Sequence, residues 1–234
     1  MIFPIGDDQV QGGRKPYFAY LFIGLNLAVF IYQALMPPPV LEQFVLKFGS
    51  IPSEILQGKH LYTLLTSMFL HGGWVHLIGN MLFLWVFADN IEAVIGNFNF
   101  ILFYLAGGLA ATMAHVLAGP GSTVPAVGAS GAISAVLGAY LVLFPASRIR
   151  VLVVYFFRSF YMPAIYFLGF WIIQQLISGF FSLGTITDRA QVSGVAWWAH
   201  IGGFAFGLVA GWVARQMLEK PQQLGRGFSG DDLV

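Results

Sequence analysis

Ser130 stands in the stretch GASG and His200 opens the stretch HIGGFAFG. A serine hydroxyl is a weak nucleophile until a base within hydrogen-bond reach takes its proton, and an imidazole that titrates near neutrality suits that task. The tetrahedral species formed when such a hydroxyl attacks a carbonyl needs donors already in place. His76 and Asn80 are spaced to share one face of a helix, and together with the Ser130 backbone N–H they can supply them. Gly128 and Gly131 flank the serine and clear space around its hydroxyl. A helix starting there also turns unpaired N–H groups and its positive dipole end toward the site. Gly128 and Ala129, just before the serine, are expected to line the oxyanion and substrate side.

The elements that must hold these groups are set by composition. The chain has 234 residues, 58% of them hydrophobic and only 9% charged, with a mean hydropathy of +0.77. A soluble domain carries roughly 25% charged residues, so this is the composition of a membrane protein. Hydropathy predicts an all-α protein of six spans: Tyr17–Met36, Trp74–Ile91, Phe98–Leu117, Val127–Phe144, Met162–Phe180 and Ala196–Leu218. The long loop Pro37–Gly73 carries a half-apolar stretch, YTLLTSMFLHGG, and RIRVLVVYFFRSF before span 5 reads as an interfacial segment. Residues 1–16 form an N-terminal segment, 17–218 the membrane domain, and 219–234 a polar, flexible tail. The N-terminus lacks the pattern of a cleaved signal peptide, so span 1 is expected to stay as an anchor.

Arg14, Lys15, Arg148, Arg150, Arg158, Arg215, Lys220 and Arg226 fall on one side of these spans, and Lys47, Lys59 and Arg189 on the other. The positive-inside rule therefore puts both termini in the cytoplasm. Spans 2, 4 and 6 then enter from the outer face, with His76, Asn80, Ser130 and His200 roughly 3–9 Å below the outer ends of their helices. Polar groups in a span are costly, and four at one level on three helices point to a site. Gly203, Gly207 and Gly211 form one face of span 6, which lets another helix come close. Ser134 is expected to bond its own helix backbone, and His115 and His60 to be structural. The polar residues of span 5 are Gln174, Gln175 and Ser178.

No acid falls at the level of His200. Asp89 and Glu92 lie at the inner end of span 2, and Glu42, Glu54 and Asp188 lie in outer loops. The expectation is a Ser130–His200 dyad rather than a triad. The chain has no cysteine, which excludes disulfides and thiolate chemistry. A zinc site of His71, His76 and His200 is disfavoured, because HGGWVH lacks a glutamate and no second-shell acid is evident. A net charge of +1 gives no reason to expect a nucleic-acid partner.

Three motifs in order, HGGWVHLIGN (His71–Asn80), GASG (Gly128–Gly131) and AHIGGFAFG (Ala199–Gly207), make the chain resemble the rhomboid family of intramembrane serine proteases over about residues 62–212. The resemblance implies a six-helix bundle with span 4 short and central, Ser130 as nucleophile and His200 as base. His76 and Asn80 would hold the oxyanion, and His71, Gly131, Gly203 and Gly207 would be structural. It also implies a membrane-dipping first loop, a cap between spans 5 and 6, no cofactor, and transmembrane proteins in the bilayer as substrates. A bacterial inner membrane is the expected location. Two positions depart from the family pattern. Tyr62-Thr63 stands where many members have Trp-Arg, and Ser134 stands where some have an aromatic residue against the base. The second implies that His200 is held by other packing, such as the glycine face of span 6 against span 4. The alternatives are a non-catalytic member that binds membrane clients, from which the serine or histidine would be missing, and a small transporter. The spans offer the latter neither a central charge nor a convincing repeat.

Overall fold

The structure is a computed structural model that describes residues 2–8, 14–184 and 196–224. Five helices are long and apolar enough to cross a membrane: α1 (Tyr17–Ala34), α5 (Trp74–Ile95), α6 (Asn97–Ala118), α8 (Ala164–Gly184) and α9 (Trp197–Leu224). A shorter apolar helix, α7 (Ser130–Leu143), lies among them. These are the six predicted spans, with the fourth starting at Ser130 instead of Val127. Its 14 residues make it about 21 Å long, short of a hydrocarbon core of about 30 Å. Every residue from Gly131 to Tyr140 is buried, and α7 packs against α5, α6, α8 and α9. The outer helices present large apolar side chains outward, among them Leu21 and Ile31 on α1 and Phe170 and Ile173 on α8. That is the surface a helical protein shows to lipid.

Close approach between α7 and α9 is built from residues with little or no side chain. A Cβ on Gly203 would lie 2.1 Å from the Gly131 carbonyl oxygen, and one on Gly207 would lie 2.0 Å from that of Ala135. At Gly211 it would lie 2.8 Å from Ala139 Cα. In the other direction, a Cβ on Gly138 would lie 2.2 Å from the Phe204 carbonyl oxygen. The small residues thus face each other at four-residue spacing on both helices, which brings the two backbones into contact.

To the predicted helical bundle the structure adds one small three-stranded sheet at the C-terminal end of α7. The segment read as interfacial is a hairpin of β2 (Arg148–Val153) and β3 (Arg158–Pro163), joined on the other edge of β2 by β1 (Ile2–Gly6), all antiparallel. The alternation in RIRVLV is the period of a strand: Ile149 and Val151 are buried while Arg148 and Arg150 are exposed. Residues 2–8 of the N-terminal segment therefore pack onto the bundle. Past β1, the Asp7 carboxylate accepts from Tyr140 Oη near the C-terminal end of α7 and from Asn90 Nδ2 of α5, and Asp8 accepts from the Arg148 backbone N–H at 3.0 Å. Glu92 of α5 is fully buried and accepts the N–H groups of Phe18 and Ala19 at 3.0 and 2.7 Å. It thereby caps the otherwise unpaired start of α1. Helix α9 continues to Leu224, past the predicted end of span 6. The rest of the tail lies outside the described residues, as does the expected cap between spans 5 and 6.

The loop after α1 folds as three short helices, α2 (Pro38–Phe48), α3 (Pro52–Leu56) and α4 (Thr63–Thr66), followed by a 3₁₀ turn at Ser67–Phe69. Tyr62 donates from Oη to the Lys47 carbonyl at 2.9 Å, and Thr63 from Oγ1 to the His60 carbonyl at 2.7 Å. The departures at these two positions thus serve to close the loop on itself.

Two outcomes are expected. Gly207→Ala forces a backbone shift in the α7–α9 seam and costs about 1–3 kcal/mol. Its thermal midpoint in detergent should fall below that of Gly24→Ala, where nothing lies within 4 Å of the added methyl. Equal midpoints for the two would contradict the seam. The second concerns Asp7, which burial, then the neighbouring Asp89 and Asp8, push up to about 7 against the pull of Tyr140 and Asn90. The seated segment therefore holds a proton that the unseated one releases. Its attachment is strongest at acid pH and weakens as pH rises toward 7. Amide-exchange protection of residues 3–6, corrected for intrinsic rates, should fall from about pH 5 to about pH 8, and Asp7→Asn should flatten that dependence.

Candidate active site

Ser130 is the first residue of α7 and His200 lies in the first turn of α9. The glycine seam carries the start of one helix past the start of the other, and His200 Nε2 lies 2.8 Å from Ser130 Oγ. Ser134 donates to the Ser130 carbonyl at 2.6 Å, the backbone bond its position predicts. The C-terminal end of α7 is tied through Tyr140 to Asp7 and Ser147.

The approach to Ser130 is held from the first loop. Ser50 and Ala126 form an antiparallel bridge with bonds of 3.0 and 2.8 Å, and the Gly128 N–H donates to the Ser67 carbonyl at 2.9 Å. Gly128 has φ +130°, and a Cβ there would lie 2.8 Å from His76 Nε2 and 3.6 Å from Asn80 Nδ2. Glycine is required on both counts. His76 and Asn80 thus face the backbone that leads into Ser130, on one face of α5 as their spacing predicts. His76 Nδ1 accepts the Gly72 N–H at 3.4 Å, so in the neutral ring Nε2 carries the proton and is a donor on the Gly128 side. Asn80 Nδ2 can only donate, and it gives one hydrogen to His71 Nε2 at 2.9 Å, leaving the other available. His71 is itself buried. Its N–H donates to Gln33 Oε1 of α1 at 3.1 Å and its carbonyl accepts from Gln33 Nε2 at 3.3 Å.

Behind the serine is a cavity of about 30 Å³ lined by Ser50, Ser67, Thr112, His115 and Ser130 among others, room for about two waters. His115, expected to be structural, is thus a cavity wall. His71, His76 and His200 do not form a cluster able to hold a metal; among the described residues no such group of three occurs.

One contact was not anticipated. Gln175 of α8 is buried, and its Oε1 lies 2.8 Å from His200 Nδ1. The spacing held a signal: Gln175 is roughly 8 Å inside the predicted outer end of span 5, the level of His200. An inventory confined to acids passes over it. Trp171 of α8 and Trp197 of α9 also lie against the imidazole, with ring centroids 5.8 and 6.2 Å away. Packing of this kind, together with the glycine seam, surrounds His200 where Ser134 offers no aromatic ring.

Fold and site together define a helical integral membrane protein with a serine–histidine pair at the start of a short, buried helix. The Rhomboid domain family matches residues 58–217, and the chain belongs to that family. It is 34% identical over 134 residues to "Rhomboid protease GluP" of Bacillus subtilis, covering 57% of this chain and 26% of that one. To "Rhomboid protein 1, mitochondrial" of Saccharomyces cerevisiae it is 28% identical over 213 residues, 87% of this chain and 55% of that one. To "RHOMBOID-like protein 11, chloroplastic" of Arabidopsis thaliana it is 30% identical over 156 residues, 65% and 52% of the two chains. The matches thus span from about a quarter to just over half the length of these relatives.

Proposed function

We propose that this protein is a serine endopeptidase that cuts transmembrane protein substrates within the bilayer. The observation that carries the reading is the 2.8 Å contact between Ser130 Oγ and His200 Nε2 at the start of α7. In this mechanism His200 takes the hydroxyl proton as Ser130 Oγ bonds to the scissile carbonyl carbon. The oxyanion that forms is met by donors from His76 Nε2, Asn80 Nδ2 and the Ser130 N–H, beside the backbone of Gly128 and Ala129. His200 then passes the proton to the departing amine, leaving an acyl-serine. Water, activated by the same imidazole, hydrolyses the ester and restores the pair. His71 holds Asn80, and Gly131, Gly203 and Gly207 hold the helices at contact distance.

The orientation proposed with it has both termini in the cytoplasm of a bacterial cell, with the site opening outward. The β-sheet supports this arrangement, since β1, β2 and β3 bring the N-terminus to the arginine-bearing connection between α7 and α8.

In proteoliposomes the wild-type chain is expected to cleave a transmembrane substrate and to be labelled by a fluorophosphonate, and Ser130→Ala to do neither while remaining folded. Cleavage by Ser130→Ala would remove the dyad assignment. His76→Ala and Asn80→Ala are each expected to lower turnover by roughly ten- to a thousandfold. Unchanged turnover in both leaves the oxyanion to the backbone alone.

A further inference from the structure

The amide of Gln175 has a determined orientation. Its Nε2 faces the Trp171 carbonyl one turn earlier on α8 at 3.2 Å. A carbonyl oxygen only accepts, so the NH₂ group must point there and Oε1 must point to His200. An amide oxygen only accepts as well, so His200 Nδ1 must carry a proton to make its 2.8 Å contact. A neutral imidazole has one N–H. With Nδ1 protonated, Nε2 has a free lone pair directed at Ser130 Oγ, 2.8 Å away. The other tautomer would set two lone pairs against each other at Gln175 and leave Ser130 without an acceptor at Nε2. The amide is buried, so water does not compete freely for either contact. A glutamine in a span is also costly unless both of its ends are bonded, and here both are.

We infer that Gln175 is a positioning residue for this active site: a neutral third member that holds His200 in the tautomer able to accept the serine proton and fixes the plane of its ring. The inference rests on the serine protease reading of the site. It replaces the carboxylate of a Ser-His-Asp arrangement with an acceptor that carries no charge, which suits a position inside a membrane-spanning helix. When His200 takes the proton from Ser130, the imidazolium keeps its Nδ1–H bond to Gln175 Oε1, so no rearrangement accompanies the step. Trp171, which supplies the orienting carbonyl, also places its own ring beside His200. One turn of α8 therefore controls both the electronic state and the setting of the base.

The test uses the full chain in proteoliposomes, with ¹⁵N-labelled histidine and His200 assigned by loss of its signals in His200→Gln. Wild type is expected to show His200 Nδ1 as a protonated ring nitrogen and Nε2 as a bare one. Gln175→Met, which keeps the volume and removes the acceptor, should mix or reverse the tautomers and lower kcat about tenfold with KM unchanged. Gln175→Glu restores an acceptor and should recover the Nδ1-protonated form and most of kcat. A Gln175→Met protein with the wild-type tautomer and wild-type kcat overturns the inference, and so does a folded Gln175→Glu that recovers neither. If Gln175→Met does not fold, the wild-type spectrum decides, since His200 protonated at Nε2 overturns the inference outright. The same spectrum recorded on Ser130→Ala reads the effect of Gln175 without any cleavage. A failure of the protease reading, seen as Ser130→Ala still cutting, is thus distinct from a failure at Gln175.

Discussion

The contact between α7 and α9 is the constraint on which the remainder depends. Two helices with ordinary side chains pack 8–10 Å apart, and small residues at the contact let the backbones approach more closely. Here Gly203, Gly207 and Gly211 lie on Gly131, Ala135 and Ala139, so backbone touches backbone. The seam sets the register of the two helices, and in that register Ser130 Oγ and His200 Nε2 lie within a hydrogen bond. In lipid there is no hydrophobic drive between apolar helices, so close van der Waals fit of this kind is itself what holds them together.

A seam alone leaves α7 free to slide along its axis. The C-terminal end of α7 is fixed by polar contacts of Tyr140 to Asp7 and Ser147, and Glu92 caps α1 nearby. The approach to its N-terminal end is fixed by backbone bonds from the first loop, at Ser50–Ala126 and Ser67–Gly128. Between these anchors is held a helix of 14 residues, shorter than a bilayer core of about 30 Å. The same loop continues into His71, which engages Gln33 on one side and Asn80 on the other. The wall carrying His76 and Asn80 is thereby tied to the floor carrying Ser130.

Much of this was legible from residue type and spacing. Long apolar runs announce spans, and polar residues at one depth in spans 2, 4 and 6 announce a site, because the bilayer penalises every polar group without a purpose. The glycine face of span 6 was legible for the same reason, since glycine at four-residue spacing has little use other than close approach. The hairpin was less so. RIRVLV alternates with the period of a strand, yet it is short and apolar enough to pass for an interfacial segment, and its partner β1 lies some 140 residues away. Gln175 was missed because an uncharged residue in a span that already holds Gln174 and Ser178 carries no mark of its own.

What the sequence determined by itself was the class of structure, the level of the site and the residue types able to do chemistry there, since these follow from hydropathy, helical pitch and the cost of buried polarity. What only the tertiary structure decided was pairing: which small face met which helix, which edge of β2 received the N-terminus, and which of two adjacent glutamines turned toward His200. Pairing depends on the rotation of each helix about its axis and on the exact chain of donors and acceptors across the interface. A linear pattern holds the first loosely and the second not at all, because a hydrogen bond such as Gln175 to His200 exists only once both helices are in place.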